Sequence, residues 1–444
     1  MQKLRSIHLY LGCFFVALSF IVSNAIADSP LSLQSSPSIQ LGQGTTLSFW
    51  GVTYTNKHVP PGYENSRFND MRYTGTNNTL MVWIKTEHAQ KKWPSYELLV
   101  SDVANTAVVP AEKSTSTHVD NNVDIYGFLL SAYPRWDSQF VVQVAQYNKP
   151  AVPGYFVVAN PAIRSPENWT PEPLPITKTN GDLKVTLTGL KAGVPGPYWQ
   201  DREPTPTNVL SKQGVQIHFD FYENGRATTN WSPWLVRTTD AVGNQVETVL
   251  YGYPSNGVYR VLRDGIYLHN DGYFYQPGLW PVESAWRVRL EFTRISDFSD
   301  DEIVTFTNIP VKAGTRQDWD DEWDVWDVGK TNFPFVITPA MVNGVHLKLL
   351  PPLMTSDWNS SPGQANISVI IGADTRFPRQ QGFRLTILEA KDDQGHDLWH
   401  PFNPDWAGHW SLDLPRLRPD IKTLTLKLAL HKSRFVEFTV KPAK

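Results

Sequence analysis

The sequence predicts an all-β protein composed of three tandem β-sandwich domains. Apolar and polar residues alternate along several segments, aromatic and turn-forming residues are abundant, and one strand–turn unit recurs. The 444 residues include 17 Trp, 17 Tyr and 21 Phe, together with 34 Pro and 28 Gly. Aromatic side chains suit a pleated sheet surface, whereas Pro and Gly suit the turns between strands. A chain of this length has room for about two to four domains.

The alternation of apolar and polar residues is clearest in segments 215–221, 286–292 and 424–430, where every second residue is apolar. A period of two places one face of a strand on a core and the other face in water. This pattern is typical of antiparallel sheets packed as sandwiches, whereas buried parallel sheets give continuous apolar runs.

A strand followed by a turn recurs weakly along the chain. The three copies are 96–105, 234–243 and 383–395. In each copy an Asp leads into a turn that closes on Asn105, Gly243 or Gly395, and these residue types favour turns. We expect two paired strands after each copy, at 140–158, 286–311 and 422–440. The wide spacing is unlike that of a solenoid and predicts separate domains.

At the level of these units the chain resembles the tandem immunoglobulin-like or fibronectin-type modules of bacterial exported proteins. The resemblance covers most of residues 40–442 and consists of the strand pattern. The Cys–Trp–Cys framework of immunoglobulin domains is missing, because Cys13 is the single cysteine. The resemblance implies an immunoglobulin-like sandwich fold but carries no functional residues over to this chain.

The N-terminus has the pattern of a secretory signal peptide. Lys3 and Arg5 precede an apolar stretch, and Ala25-Ile26-Ala27 provides a cleavage site before Asp28. The alternative is an uncleaved anchor, although the stretch is shorter than the roughly 20 residues that span a bilayer. A mature chain without cysteine favours bacterial export to the periplasm, cell surface or exterior. We expect no transmembrane span after residue 27.

Shifts in composition predict the domain boundaries. We expect a signal peptide at 1–27, domains at 40–160, 178–312 and 340–442, a Pro-rich linker at 161–177, and a second linker at 313–339. Closely spaced prolines make the first linker stiff and extended. In the second linker, Trp319, Trp323 and Trp326 share one helical face, which predicts a short interdomain helix at 316–328.

Charge and motifs exclude several classes of function. The formal charge is −3, it becomes more acidic without Lys3 and Arg5, and no basic patch favours nucleic acid as a partner. The chain has no phosphate-binding loop, no HExxH and no GxSxG, so we expect no cofactor. A glycosidase stays open, because its two carboxylates come from distant strands and leave no spacing rule.

The aromatic segment 251–280 contains the candidate ligand-binding residues Tyr273, Tyr275 and Trp280. Exposed Tyr and Trp rings suit stacking on sugars or docking of a protein. The alternative is a hairpin with its turn at 270–272 whose alternate aromatic residues fill the core.

Two acidic or His-containing segments are weak candidates for metal sites. Asp320, Asp324 and Asp327 lie in the predicted helix, and clustered carboxylates suit hard cations such as Ca²⁺. The loop 392–400 combines carboxylates with histidines, which can ligate transition metals. The alternatives are a solvated acidic helix face and a solvated hairpin loop.

These observations favour an exported, non-enzymatic binding or scaffolding protein whose partner is a glycan or an envelope protein. One alternative is an extracellular polysaccharide hydrolase with carboxylates from separate strands. Another is a structural surface protein that associates with itself.

Overall fold

The computed structural model describes part of the chain. The described residues are 38–41, 44–63, 73–88, 96–104, 108–120, 122–146, 154–195, 213–226, 228, 230–249, 279–280, 284–314, 340–349, 352–355, 365–373, 382–398, 405–406 and 409–443. They form an all-β protein with several sheets and no helix of seven or more residues, which confirms the predicted class. Within these ranges no helix is long and apolar enough to cross a membrane. The predicted signal peptide and the helix at 316–328 lie outside them.

The N-terminal part is one antiparallel sheet. Its described strands are β1 (Ile39–Leu41), β2 (Thr45–His58), β3 (Tyr73–His88), β4 (Tyr96–Ser101), β5 (Val108–Asp120), β6 (Val123–Leu130), β7 (Gln139–Gln146) and β8 (Phe156–Ala159). They follow the order β1-β2-β3-β6-β5-β4-β7-β8. The ring of Phe49 in β2 lies 6.0 Å from that of Phe156 in β8. The sheet therefore curls until strands near its two ends share one core.

The middle part begins with six strands in two sheets. They are β9 (Ile176–Asn180), β10 (Leu183–Pro195), β11 (Gln213–Glu223), β12 (Trp231–Asp240), β13 (Gln245–Val249) and β14 (Trp286–Arg294). The first three strands form one sheet in the order β11-β10-β9, and β12 lies between β13 and β14 in the other. The alternating segments 215–221 and 286–292 fall in β11 and β14, as expected for half-buried strands.

The chain then forms the inserted part. Its described strands are β15 (Ile303–Pro310), β16 (Lys312–Ala313), β17 (Ala340–Val342), β18 (Val345–Leu349), β19 (Leu353–Thr355), β20 (Ala365–Ala373), β21 (Phe383–Asp392), β22 (Asp405–Trp406), β23 (His409–Leu417) and β24 (Thr423–Lys432). One sheet has the order β15-β24-β21, and the other contains β16-β19-β20-β18-β17 with β23 paired to β20. A 3₁₀ turn, Asp300–Glu302, precedes β15.

The last strand, β25 (Arg434–Val440), returns to the middle part and pairs antiparallel with β14. Core residues meet across this pair, with Val288 opposite Phe438 and Leu290 opposite Val436. The strands from β15 to β24 are therefore inserted between two neighbouring strands of the middle part.

This pairing differs from the predicted grouping in two strands. The strand β15, expected in the second domain, pairs with β24. The strand β25, expected in the third domain, pairs with β14. The sequence predicts that β14 pairs with β15, within 286–311, and that β24 pairs with β25, within 422–440. In the structure β14 pairs with β25 and β15 pairs with β24. The physical reason is that an alternating pattern defines the buried face of a strand without defining its neighbour.

Two apolar cores follow from this arrangement. One continuous cluster of buried side chains runs through the N-terminal and middle parts and includes Val436, Phe438 and Val440 of β25. The second cluster belongs to the inserted part. The N-terminal and middle parts are thus packed against each other over a shared apolar interior.

The predicted Pro-rich linker forms neither helix nor strand until β9 begins at Ile176. Its backbone is bonded to both neighbouring parts. Arg164 N donates to Arg135 O at 2.7 Å, and Glu167 N donates to Ala241 O at 2.9 Å. The linker is therefore fixed against the junction of the N-terminal and middle parts.

Candidate functional site

The structure places one of the three predicted aromatic ligand-binding residues. Trp280 is completely buried, and its ring meets that of Trp136 edge to face at 5.8 Å. It packs in the shared core, as in the alternative interpretation of the aromatic segment, and offers no exposed stacking face. Tyr273 and Tyr275 lie outside the described residues.

The predicted metal candidates Asp320, Asp324 and Asp327 also lie outside the described residues. In the loop that follows β21, the Nδ1 atom of His396 lies 3.1 Å from Asp392 Oδ2, and Arg418 donates to the same oxygen at 3.0 Å. These groups bind one another. Within the described ranges, no three His, Cys, Asp or Glu side chains are arranged to hold a metal ion.

The turn that joins β12 to β13 forms a site that the sequence analysis did not identify. Asp240 is fully buried at the end of β12, and its Oδ1 atom accepts from Val242 N at 3.2 Å and Asn244 N at 2.7 Å. Its Oδ2 atom accepts from Asn244 Nδ2 at 2.7 Å. Gly243 has a φ of +83°, a conformation that favours glycine. The buried carboxylate of Asp240 thus stabilises the turn through hydrogen bonds from two of its backbone N–H groups and from the Asn244 side chain.

Asn244 docks this turn onto the N-terminal part. Its Oδ1 atom accepts hydrogen bonds from Tyr133 N at 3.0 Å and from Arg135 Nε at 2.8 Å. The Asn244 side chain is completely buried. One amide therefore joins Asp240 of the middle part to Arg135 of the N-terminal part and fixes the direction of the Arg135 guanidinium.

A second arginine lies beside the first. A Cβ atom built on Gly243 would lie 3.6 Å from Arg164 Nη1 and 4.0 Å from Arg135 Nη1. Arg164 also donates to the hydroxyl of Tyr54 at 3.3 Å. Arg135 and Arg164, which we call the arginine pair, therefore converge on one exposed glycine from two segments of the chain.

The guanidinium groups of the arginine pair make no direct contact with a carboxylate of the described residues, although the charge of Asp240 acts on Arg135. Neither guanidinium forms an ion pair with a carboxylate in the described part of the chain. Burial lowers the pKa of Arg135, and the charge of Arg164 lowers it further, whereas Tyr133, Asp240 and Tyr54 act in the opposite direction. The ring centroid of Tyr133 lies 4.8 Å from the Arg135 guanidinium carbon.

The carboxylates of Asp240 and Glu167 accept their hydrogen bonds from groups other than the two guanidinium groups. Burial raises the pKa of Asp240 to about 6, although the hydrogen bonds from Asn244 oppose this shift. Asn244 bonds to both Asp240 and Arg135, and the charge of Arg135 also lowers the pKa of Asp240. The carboxylate of Glu167 accepts from the indole of Trp169 at 2.8 Å. An oxyanion from outside would therefore meet two guanidinium groups that lack a carboxylate partner among the described residues.

Two further polar clusters have partners within the fold. At the contact between the middle and inserted parts, Arg384 Nη2 donates to Glu291 Oε2 at 2.7 Å, with side chains only 4% and 2% exposed. Burial lowers the pKa of the adjacent His431 to about 3. In the N-terminal part, Asp124 meets His88 at 3.1 Å and His118 at 2.8 Å, one imidazole on each oxygen. These clusters link strands to one another.

Protein-family models, curated proteins and solved structures provide no match to this chain. Its function is therefore inferred from its own residues and their geometry.

Proposed function

We propose that this chain is an exported, non-enzymatic binding or scaffolding protein of the bacterial envelope or cell exterior, with a glycan as its partner. The signal-peptide pattern at 1–27 supports export. The observation that carries the proposal is the way in which the three parts are joined. Buried polar contacts and one returning strand fix each part against the next, as expected of a protein that presents surfaces in a set geometry.

The joint between the N-terminal and middle parts is made by Asn244, whose buried amide bonds to Tyr133 N and Arg135 Nε. The joint between the middle and inserted parts is made by β25, which follows directly on β24 yet pairs with β14. The buried ion pair of Glu291 and Arg384 lies at the same joint. A preorganised surface loses less entropy on binding than one that must first be ordered.

We further propose that each part is a β-sandwich of immunoglobulin-like type, and that the single curled sheet of the N-terminal part forms both layers of its sandwich. In the middle part, the ring of Phe292 in β14 lies 5.9 Å from Phe219 and 5.2 Å from Phe221, both in β11. Side chains of the two sheets therefore meet face to face, as the layers of a sandwich do. In the inserted part, both sheets contribute to one apolar cluster. The middle sandwich would be completed by β25.

Affinity electrophoresis through gels that contain neutral or acidic polysaccharides tests the proposed binding function. We expect at least one polymer to retard the purified mature protein without release of reducing sugar. Asn244→Ala, which removes the docking amide, should reduce the retardation. His396→Ala, at the corresponding position of the inserted part, is the matched control. Release of reducing sugar would replace the proposal with the hydrolase alternative, and absence of retardation by every polymer would contradict it.

A further inference from the structure

We propose that the arginine pair is a binding site for a single oxyanion, supplied by the carboxylate of an acidic sugar. The identity of the ligand as an acidic sugar rests on the proposed glycan-binding function. The anion site itself rests on the geometry of Arg135, Arg164, Tyr54 and Gly243.

The position of Gly243 shows that one small group can reach both arginines. A carbon atom attached to this glycine would contact Arg164 Nη1 at 3.6 Å and Arg135 Nη1 at 4.0 Å, both ordinary van der Waals distances. Gly243 is exposed and carries no side chain to fill that space. A carboxylate entering from solvent could therefore lie between the two guanidinium groups without displacing protein atoms.

The chemistry of the surrounding groups favours an oxyanion. A guanidinium presents several N–H donors in a planar fork that matches the two oxygens of a carboxylate. The Tyr54 hydroxyl already accepts from Arg164 and retains a proton to donate. Two like charges held side by side repel each other, and the attraction of each guanidinium to a bound anion offsets that repulsion more fully than the buried Asp240 does.

The arginine pair is also held in place before any ligand arrives. Arg135 is fixed by Asn244 Oδ1 on one side and by the Tyr133 ring beneath its guanidinium. The backbone of Arg164 is bonded to that of Arg135 at 2.7 Å, and its side chain reaches Tyr54. Such preorganisation reduces the entropy lost when the anion binds.

Gly243→Asp provides a sharp test, because the new carboxylate would lie beside both arginines and occupy the site from within. Aspartate tolerates positive φ better than most residues. Gly395→Asp is the matched control, since Gly395 has a φ of +82° in the corresponding turn of the inserted part, with nothing within 4 Å of a new Cβ. The two variants share the backbone strain, and only the first fills the arginine pair.

Isothermal titration calorimetry of the purified protein at low salt would use trigalacturonate, neutral maltotriose and inorganic phosphate as probes. We expect trigalacturonate to bind and maltotriose not to bind. Gly243→Asp should abolish binding, Arg164→Gln should weaken it at least tenfold, and Gly395→Asp should leave it unchanged. Higher salt should weaken the interaction, because exposed charges are screened. Circular dichroism would establish that each variant is folded.

The outcomes separate the site from the proposed function. Phosphate binding that Gly243→Asp abolishes, without any binding of trigalacturonate, would keep the anion site and overturn its assignment to an acidic sugar. Trigalacturonate binding that survives both Gly243→Asp and Arg164→Gln would overturn the site while leaving glycan binding intact. Failure of every anion to bind the folded wild-type protein would overturn the inference as a whole.

Discussion

The turn at Asp240–Asn244 in the middle part and the turn at Asp392–His396 in the inserted part have the same backbone construction. In each, the first residue and the fifth are joined by a backbone hydrogen bond, at 3.0 and 3.1 Å. In each, the fourth residue is a glycine, Gly243 or Gly395, with φ near +83° and +82°. The recurrent unit recognised in the sequence thus forms the same turn twice.

The two turns differ in the groups that their carboxylates meet. Asp240 is bonded to the neutral amide of Asn244, and burial raises its pKa to about 6. Burial acts in the same direction on Asp392, but hydrogen bonds from His396 N and from Arg418 outweigh it and lower the pKa of that carboxyl. The residue after the glycine explains the different roles, because Asn244 is buried in a joint whereas His396 is exposed.

The largest effect in this comparison is expected for Asn244→Ala. The substitution leaves the buried Tyr133 N and the partly buried Arg135 Nε without their shared acceptor, and Asp240 Oδ2 without its donor, which together should lower the free energy of unfolding by about 4 kcal/mol. Urea denaturation followed by tryptophan fluorescence measures this change. His396→Ala, the control, should cost less than about 0.5 kcal/mol, because the side chain is 66% exposed. Equal losses at the two positions would refute the structural role of Asn244.

Asp240→Asn should change how stability depends on pH. A carboxyl whose pKa rises from 3.8 unfolded to about 6 folded stabilises the fold while protonated and loses this contribution as pH increases from about 4 to 6. The difference between these two pKa values corresponds to about 3 kcal/mol in the free energy of unfolding. The free energy of unfolding of Asp240→Asn, relative to that of the wild type, should therefore increase between pH 4 and pH 7. Any effect of the substitution that does not depend on pH leaves this change unaltered. Urea midpoints at several pH values test this, and parallel profiles would contradict it.

Asp392→Asn should show the opposite pH dependence, with a smaller effect. The lowered pKa of Asp392 means that its stabilisation is present above about pH 4 and is lost as the pH falls below it. Removing the charge-assisted bond from Arg418 should cost about 2 kcal/mol at pH 7. The difference from wild type should shrink in acid. Arg418→Gln provides the reciprocal control, and a deficit that persists at low pH would exclude this explanation.

The strands show how far the sequence predicts the fold. The alternation in 215–221, 286–292 and 424–430 predicts half-buried strands, and these segments lie in strands β11, β14 and β24. The alternation gives no information on partners, so the pairing of β14 with β25 could be learned only from the fold.

The arginine pair was hidden from sequence reasoning for a related reason. Arg135, Arg164 and Asn244 lie far apart along the chain, and no local spacing connects them. The available signal was the residue after the turn glycine, which is Asn244 in one copy of the repeat and His396 in another. Asn244 contacts the N-terminal part, whereas His396 is exposed, so this one position distinguishes the surroundings of the two turns.

The smallest expected effect concerns the glycines themselves. Gly243→Ala and Gly395→Ala should each cost about 1 kcal/mol, because alanine is strained at φ near +83° and +82°. The new Cβ meets only ordinary contacts at Gly243 and nothing within 4 Å at Gly395. Equal losses, measured as urea midpoints, would show that backbone conformation selects both glycines. A loss at Gly243 alone would instead mean that crowding by the arginine pair selects that glycine. The two turns would then share a backbone conformation but require glycine for different reasons.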